Sequence, residues 1–232
     1  MQPYFMPYLG YFSLIKHTDD FILFDVVQFI RHGWIERNRI LHPAEGWQYI
    51  QIPLVKAPRE TVIKDMRIHS DDSWKTKMLS QLQHYRQKRA PHYSKVIELL
   101  QEIFSWEYED IVSLNQASLK TICNYLGIER DFPIFSKMNL EIEPVNAPDE
   151  WALNICKALG NVEEYWNPPG GQEFFDRSKY ERAGIALKFH SVNLSVYPQY
   201  VNPFESGLSI LDVLMFNSSE ETNRMLDDFS LF

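Results

Sequence analysis

With 232 residues, 45% of them hydrophobic and 14% aromatic, the chain can bury one substantial core, and a single domain over 1–232 that carries an insert is the simplest reading. Its net charge of -8 and isoelectric point near 5.4 exclude the clustered basic surface that nucleic-acid binding requires. No apolar run is long enough to span a bilayer and the start lacks a signal-peptide pattern, so a cytoplasmic location is expected. The two cysteines, Cys123 and Cys156, each sit in an apolar helical pattern and read as buried, reduced thiols rather than a disulfide or a metal site.

In chain order, Gly10 to Ile15 has helical spacing of apolar residues and leads through Asp19-Asp20 into Phe21-Ile22-Leu23-Phe24, a strand-like run ending at Asp25. A helix there needs a preceding strand, so the motif is expected to begin upstream of Met1. Gln48 to Val55 alternates as a half-buried strand. The pattern then becomes helical. Asp72 or Ser73 caps a helix to about Lys88, Pro91 opens a second to about Phe104, and a third runs from about Tyr108 to Leu126 and stops at Gly127.

Beyond the Pro-containing segment Glu143 to Pro148, a helix from about Asp149 ends at Gly160. Glu164-Tyr165-Trp166 reads as a strand, Pro169-Gly170-Gly171 as a turn, Phe174 to Ala183 as a helix stopped by Gly184, and Ile185 to His190 as a strand. Ile210 to Phe216 and Glu220 to Phe229 read as closing helices. Together these elements predict an α/β fold. Its mostly parallel, Rossmann-like sheet is built from 1–70 and 130–232, and its helical subdomain, 71–129, is inserted or appended.

Three polar clusters could carry chemistry. The first, Gln2-Pro3-Tyr4-Phe5-Met6-Pro7-Tyr8-Leu9-Gly10-Tyr11, is a stiff turn into a helix. Its Gly10 permits close backbone approach and its helix start suits an anion; the alternative is an aromatic connection packed on the sheet. The second places Asp25 at the end of a presumed parallel strand, with Gln28, and then Trp34, Arg37, Asn38 and Arg39. In an extended segment Arg37 and Arg39 point to one face and can grip phosphate or carboxylate, unless Arg39 simply pairs with Asp25. The third, Asn167-Pro168-Pro169-Gly170-Gly171-Gln172, offers consecutive glycine N–H groups for an anion, or is only a tight connection.

The dinucleotide and P-loop fingerprints are missing, as are metal-ligand spacings among the seven histidines and a nucleophile elbow. His190, after the Gly-Gly helix, is the histidine best placed as a general base, with a core or surface histidine as the alternative. Gln199, in Tyr197-Pro198-Gln199-Tyr200, falls in a segment that could line a sugar or nucleobase or merely cover the sheet edge.

Five blocks resemble the bacterial WbqC-like family: Gln2 to Phe12, Asp25 to Phe29, Gly33 to Ile40, Asn167 to Gly171, and Leu208 to Asn217, in order along nearly the whole chain. Two positions depart from the family pattern, Val26 where a second acid is usual and Glu36 where asparagine is usual. The resemblance implies a role in surface-polysaccharide (O-antigen) biosynthesis with modified amino sugars. It further implies transfer of an acyl or aminoacyl group, from a donor such as the phosphopantetheine thioester of an acyl or peptidyl carrier protein, to the amine of a nucleotide-linked amino sugar.

On that reading Asp25 or His190 is the base and Arg37 and Arg39 hold phosphates. Asn38, Gln28 and Asn167 orient the carbonyl, and Gln2, Tyr4, Gly10, Tyr11, Trp34, Gly170, Gly171 and Gln199 complete the site. The competing readings are a nucleotidyl-transfer enzyme, whose histidine pair is missing from the first turn, and a non-catalytic module that binds a carrier or biosynthetic partner. All depend on the N-terminal cluster and the Asn167 turn converging on one cleft.

Overall fold

The computed structural model describes residues 1–201 and 203–232, among which there are nine α-helices and five short strands. Helix α1 (Leu9–His17) buries every residue from Leu9 to Ile15, so it runs through the core rather than over it. Helices α2 (Ser73–Gln81) and α3 (Gln83–Gln87) replace the single helix expected to Lys88, with a break at Leu82. In α4 (Tyr93–Phe104) the residues Val96, Leu99, Leu100 and Ile103 follow the i, i+3, i+4, i+7 spacing and are buried. Helix α5 (Ile111–Leu126) starts where the Asp110 carboxylate accepts the Ser113 N–H at 2.8 Å, and it ends at Gly127, whose φ of 72° few other residues adopt.

The expected mostly parallel sheet is not present. Strands β1 (Arg37–Leu41) and β2 (Trp47–Gln51) form an isolated antiparallel hairpin with Arg39 opposite Tyr49. Its turn closes through the His42 N–H on the Gly46 carbonyl at 2.8 Å. A separate three-stranded mixed sheet has the order β3 (Glu164–Asn167), β4 (Ala186–Val192), β5 (Phe229–Leu231). Only β3 and β4 are parallel, over four paired residues, joined by a 3-10 turn (Pro169–Phe174) and the short helix α7 (Arg177–Arg182). The β-turn-α-β unit read from the sequence therefore exists, but it is not repeated.

The physical reason lies at Phe21 to Phe24. Phe21 and Leu23 of this apolar run are buried and Ile22 and Phe24 half-buried, yet its backbone meets the Pro133–Phe135 segment and Met1, giving one isolated bridge, Leu23 to Ile134, instead of a ladder. Parallel pairing needs a crossover for each strand, and among the described residues the chain supplies one. The C-terminal segment differs too: α9 (Ser219–Leu226), begun by the reciprocal cap of Ser218 and Glu221, stops early, and Phe229 joins β5 beside the end of β4.

One hydrophobic cluster runs continuously from Phe5 and α1 through the hairpin residues Ile40 and Ile50 to α2–α5 and to α8 (Ile210–Phe216). A second, smaller cluster of Leu153, Cys156, Tyr180, Ile185, Leu187 and Phe189 holds α6 (Glu150–Leu159) and α7 against the mixed sheet. None of the described helices is long and apolar enough to cross a membrane.

Candidate functional site

A cleft of about 1540 Å³ lies between the parts that carry these two clusters. Tyr11 and Leu14 of α1, which share a face, form a wall with Tyr8 and Thr18 at the two ends of the helix. At 1.5 Å per residue that wall is roughly 15 Å long. Facing it are Trp151, Ile155, Cys156 and Leu159 of α6, a second helical stripe, and the Tyr165–Phe175 stretch of β3 and its turn.

The N-terminal loop that shapes this wall is tied down by buried amides. Asn38 Nδ2 donates to the carbonyls of Phe5 and Met6, both at 3.0 Å, and its Oδ1 accepts the Arg39 N–H at 2.8 Å. Ser209 Oγ donates to the same Met6 carbonyl at 2.7 Å, and Asn115 Nδ2 donates to the carbonyls of Pro3 and Ile35. Asn38 lines the cleft, but these bonds leave its amide to the loop and not to a substrate carbonyl.

Alternation along β1 puts Arg37 and Arg39 on one face, and each guanidinium lies diagonally over an aromatic ring of β2: Arg37 on Tyr49 at 3.9 Å, Arg39 on Trp47 at 5.2 Å. Arg39 also faces Trp34 at 5.5 Å. Arg39 lines the cleft, whereas Arg37 does not and spends one N–H on the His32 carbonyl. Among the described residues Arg39 has no carboxylate partner. One N–H goes to the Gly207 carbonyl at 3.2 Å, and its buried Nε bonds to no protein group. The pairing with Asp25 weighed from the sequence is not formed. Asp25 is buried, and its carboxylate accepts the Ser136 N–H and hydroxyl at 3.0 and 2.6 Å.

Of the other residues singled out, Gln2, Tyr4, Tyr11, Gln28, Trp34, Asn167, Gly170 and Gly171 all border the cleft. Tyr11 is spent internally, donating to the Gln2 carbonyl at 2.7 Å. Asn167 sits over Gly171, where a Cβ would come within 2.5 Å of its Nδ2. Gly10 is buried, and the space above it is filled by the protein's own Tyr8 ring, also 2.5 Å from where a Cβ would stand.

His190 and Gln199 stand behind the wall. His190 is 2% exposed; because Ser13 Oγ donates to the Leu226 carbonyl at 2.6 Å, His190 Nε2 is the donor to Ser13 at 3.0 Å. The Trp166 ring is stacked over the imidazole at 6.0 Å, between it and the cleft. Burial, and after it the neighbouring His17, lowers the His190 pKa below its ordinary value. Gln199 is buried and donates to Asp212 at 2.8 Å.

Asp212 was not among the site residues read from the sequence, although a buried acid in the first turn of an otherwise apolar helix demands partners. It has them: Tyr85, Tyr197 and Gln199 donate to it at 2.5, 2.6 and 2.8 Å. Burial still pushes its carboxyl up to about 6. Also missed was the cleft face of α6. There, the spacing of Trp151, Ile155 and Leu159 would have marked an apolar stripe but not its exposure to a cavity.

Cys156 opens on the cleft, but burial pushes its thiol up to about 11, so it is no ready nucleophile. Among the described residues no group of three or more histidine, cysteine, aspartate and glutamate side chains could hold a metal ion.

The described residues thus combine a mixed α/β fold with a long, partly aromatic cleft into which Arg39 is held. The chain belongs to the WbqC-like protein family, which it matches over residues 2–224. An uncharacterized protein of Mycobacterium tuberculosis (strain ATCC 25618 / H37Rv), Rv1507c, is 29% identical over 224 residues, spanning 95% of this chain and 93% of its own length. No solved structure matches the chain.

Proposed function

We propose that this protein is a transferase of amino-sugar and surface-polysaccharide biosynthesis that moves an acyl or aminoacyl group onto the amine of a nucleotide-linked amino sugar. A carrier-protein thioester is the donor in this reading. The observation that carries it is the cleft itself. Its aromatic walls suit the faces of a base and a sugar ring, and Arg39, without an internal carboxylate partner, suits a phosphate. Asp19, Asp20 and Glu163 also border it, which favours an acceptor carrying an ammonium group, whereas the neighbouring Glu164 is already paired with Lys188 at 2.6 Å.

Direct attack of the amine on a thioester needs positioning and a proton acceptor but no enzyme nucleophile, and the protonated Cys156 thiol is consistent with that. A second reading, a non-catalytic module that binds the same ligand, is favoured by the placement of Asp25 and His190 behind the cleft wall.

The test is incubation with carrier proteins loaded with a range of acyl and aminoacyl groups and a panel of nucleotide-linked amino sugars, reading amide product by mass spectrometry. Product that depends on the protein supports transfer. Ligand binding without product across the panel supports the module.

A further inference from the structure

Three tyrosines, Tyr4, Tyr8 and Tyr11, face the cleft at the start of α1, and their hydroxyls have different fates. Tyr11 spends its proton on the Gln2 carbonyl, which fixes its ring. The Tyr4 ring packs on it with centroids 5.5 Å apart. Tyr8 lies flat over Gly10, and its backbone bridges to Ser209, whose N–H bonds the Arg39 carbonyl at 2.8 Å. Among the described residues neither the Tyr4 nor the Tyr8 hydroxyl has a hydrogen-bond partner. Burial raises the pKa of both phenols, so both keep the proton they can donate.

From this geometry we propose that Tyr4 and Tyr8 are specificity-determining residues that hydrogen-bond the hydroxyl or ring oxygens of the sugar next to the phosphate held by Arg39. The assignment rests on the sugar-nucleotide reading of the cleft. Ser209 ties the Tyr8 backbone to that of Arg39, and both phenols border the same cleft as the Arg39 guanidinium, within which the proposal sets them against the group that follows the phosphate. Neutral groups that both donate and accept, set beside aromatic faces, match sugar hydroxyls and give no advantage to a second phosphate.

The experiment is calorimetry with UDP and TDP alone and with UDP-glucosamine and TDP-glucosamine, using wild type, Tyr4→Phe, Tyr8→Phe and Gly10→Ala. Phenylalanine keeps the ring and removes only the hydroxyl. Gly10→Ala keeps the hydroxyl and evicts the ring. The expected result is roughly tenfold weaker binding of the sugar conjugates for each phenylalanine variant, with the free diphosphates unchanged. Gly10→Ala should show the Tyr8→Phe pattern. Equal losses for diphosphates and conjugates, or none for either, would overturn the assignment while leaving the cleft as a nucleotide site. Failure of wild type to bind any of the four probes would instead overturn the sugar-nucleotide reading, and this assignment with it.

Discussion

Asn38 Nδ2 reaches the Met6 carbonyl at 3.0 Å, joining the middle of β1 to a residue whose φ is 41°. A left-handed conformation costs a non-glycine residue roughly 1–2 kcal/mol, so it persists only where neighbours hold it. Here Asn38 and Ser209 both donate to that one carbonyl, and the loop so held carries Tyr4 and Tyr8 into the cleft.

Asn38→Ala removes two buried hydrogen bonds and one partly buried one and should destabilise the fold by about 2–4 kcal/mol. The loss would be read as a lower urea midpoint at unchanged slope. A variant within about 0.5 kcal/mol of wild type would show that the loop holds its shape without this tie.

The buried Asp212 gives a pH dependence of defined sign. Its carboxyl is raised from 3.8 to about 6 in the fold, so its contribution to stability is fully present below about 4 and is lost as pH rises through 6. Relative to Asp212→Asn, wild type should lose on the order of 3 kcal/mol between pH 4 and pH 7. Denaturation midpoints of the two proteins across that range check this, and parallel profiles would contradict it.

Two adjacent glycines should respond differently to alanine. At Gly170 a Cβ meets nothing within 4 Å, and Gly170→Ala should be neutral to within about 0.5 kcal/mol. At Gly171 it would displace the Asn167 amide, which donates to the Pro168 carbonyl and accepts from Tyr165. Gly171→Ala should therefore cost about 1 kcal/mol and weaken ligand binding, measured by denaturation and calorimetry side by side.

The helices were legible because their signals are local. Apolar spacing in α4 and the glycines at positions 127 and 160 set the spans and ends of three helices within a few residues. Strand pairing is not local. Nothing in Phe21 to Phe24 distinguishes a strand from an irregular segment with one side in the core and the other on a cleft, and the parallel sheet was inferred in part from that ambiguity.

The site was legible as chemistry before it was legible as geometry. Arg39, Tyr4 and Asn167, named from residue type, all border the cleft. The sequence could not reveal that Trp166 screens His190, that Ser136 occupies Asp25, or that Asn38 is spent on its own loop. Each of those partners is distant in sequence, and a single chain records no pairing.

The proposed function requires Arg39 to hold a ligand's phosphate in the aromatic cleft, and the neighbouring Arg37 provides an internal control on the same strand face. Calorimetry with nucleotide-linked amino sugars should show binding weakened by at least roughly tenfold in Arg39→Ala and unchanged in Arg37→Ala, with the wild-type affinity falling as salt is raised. Binding that survives Arg39→Ala, or that disappears equally in both variants, would contradict it.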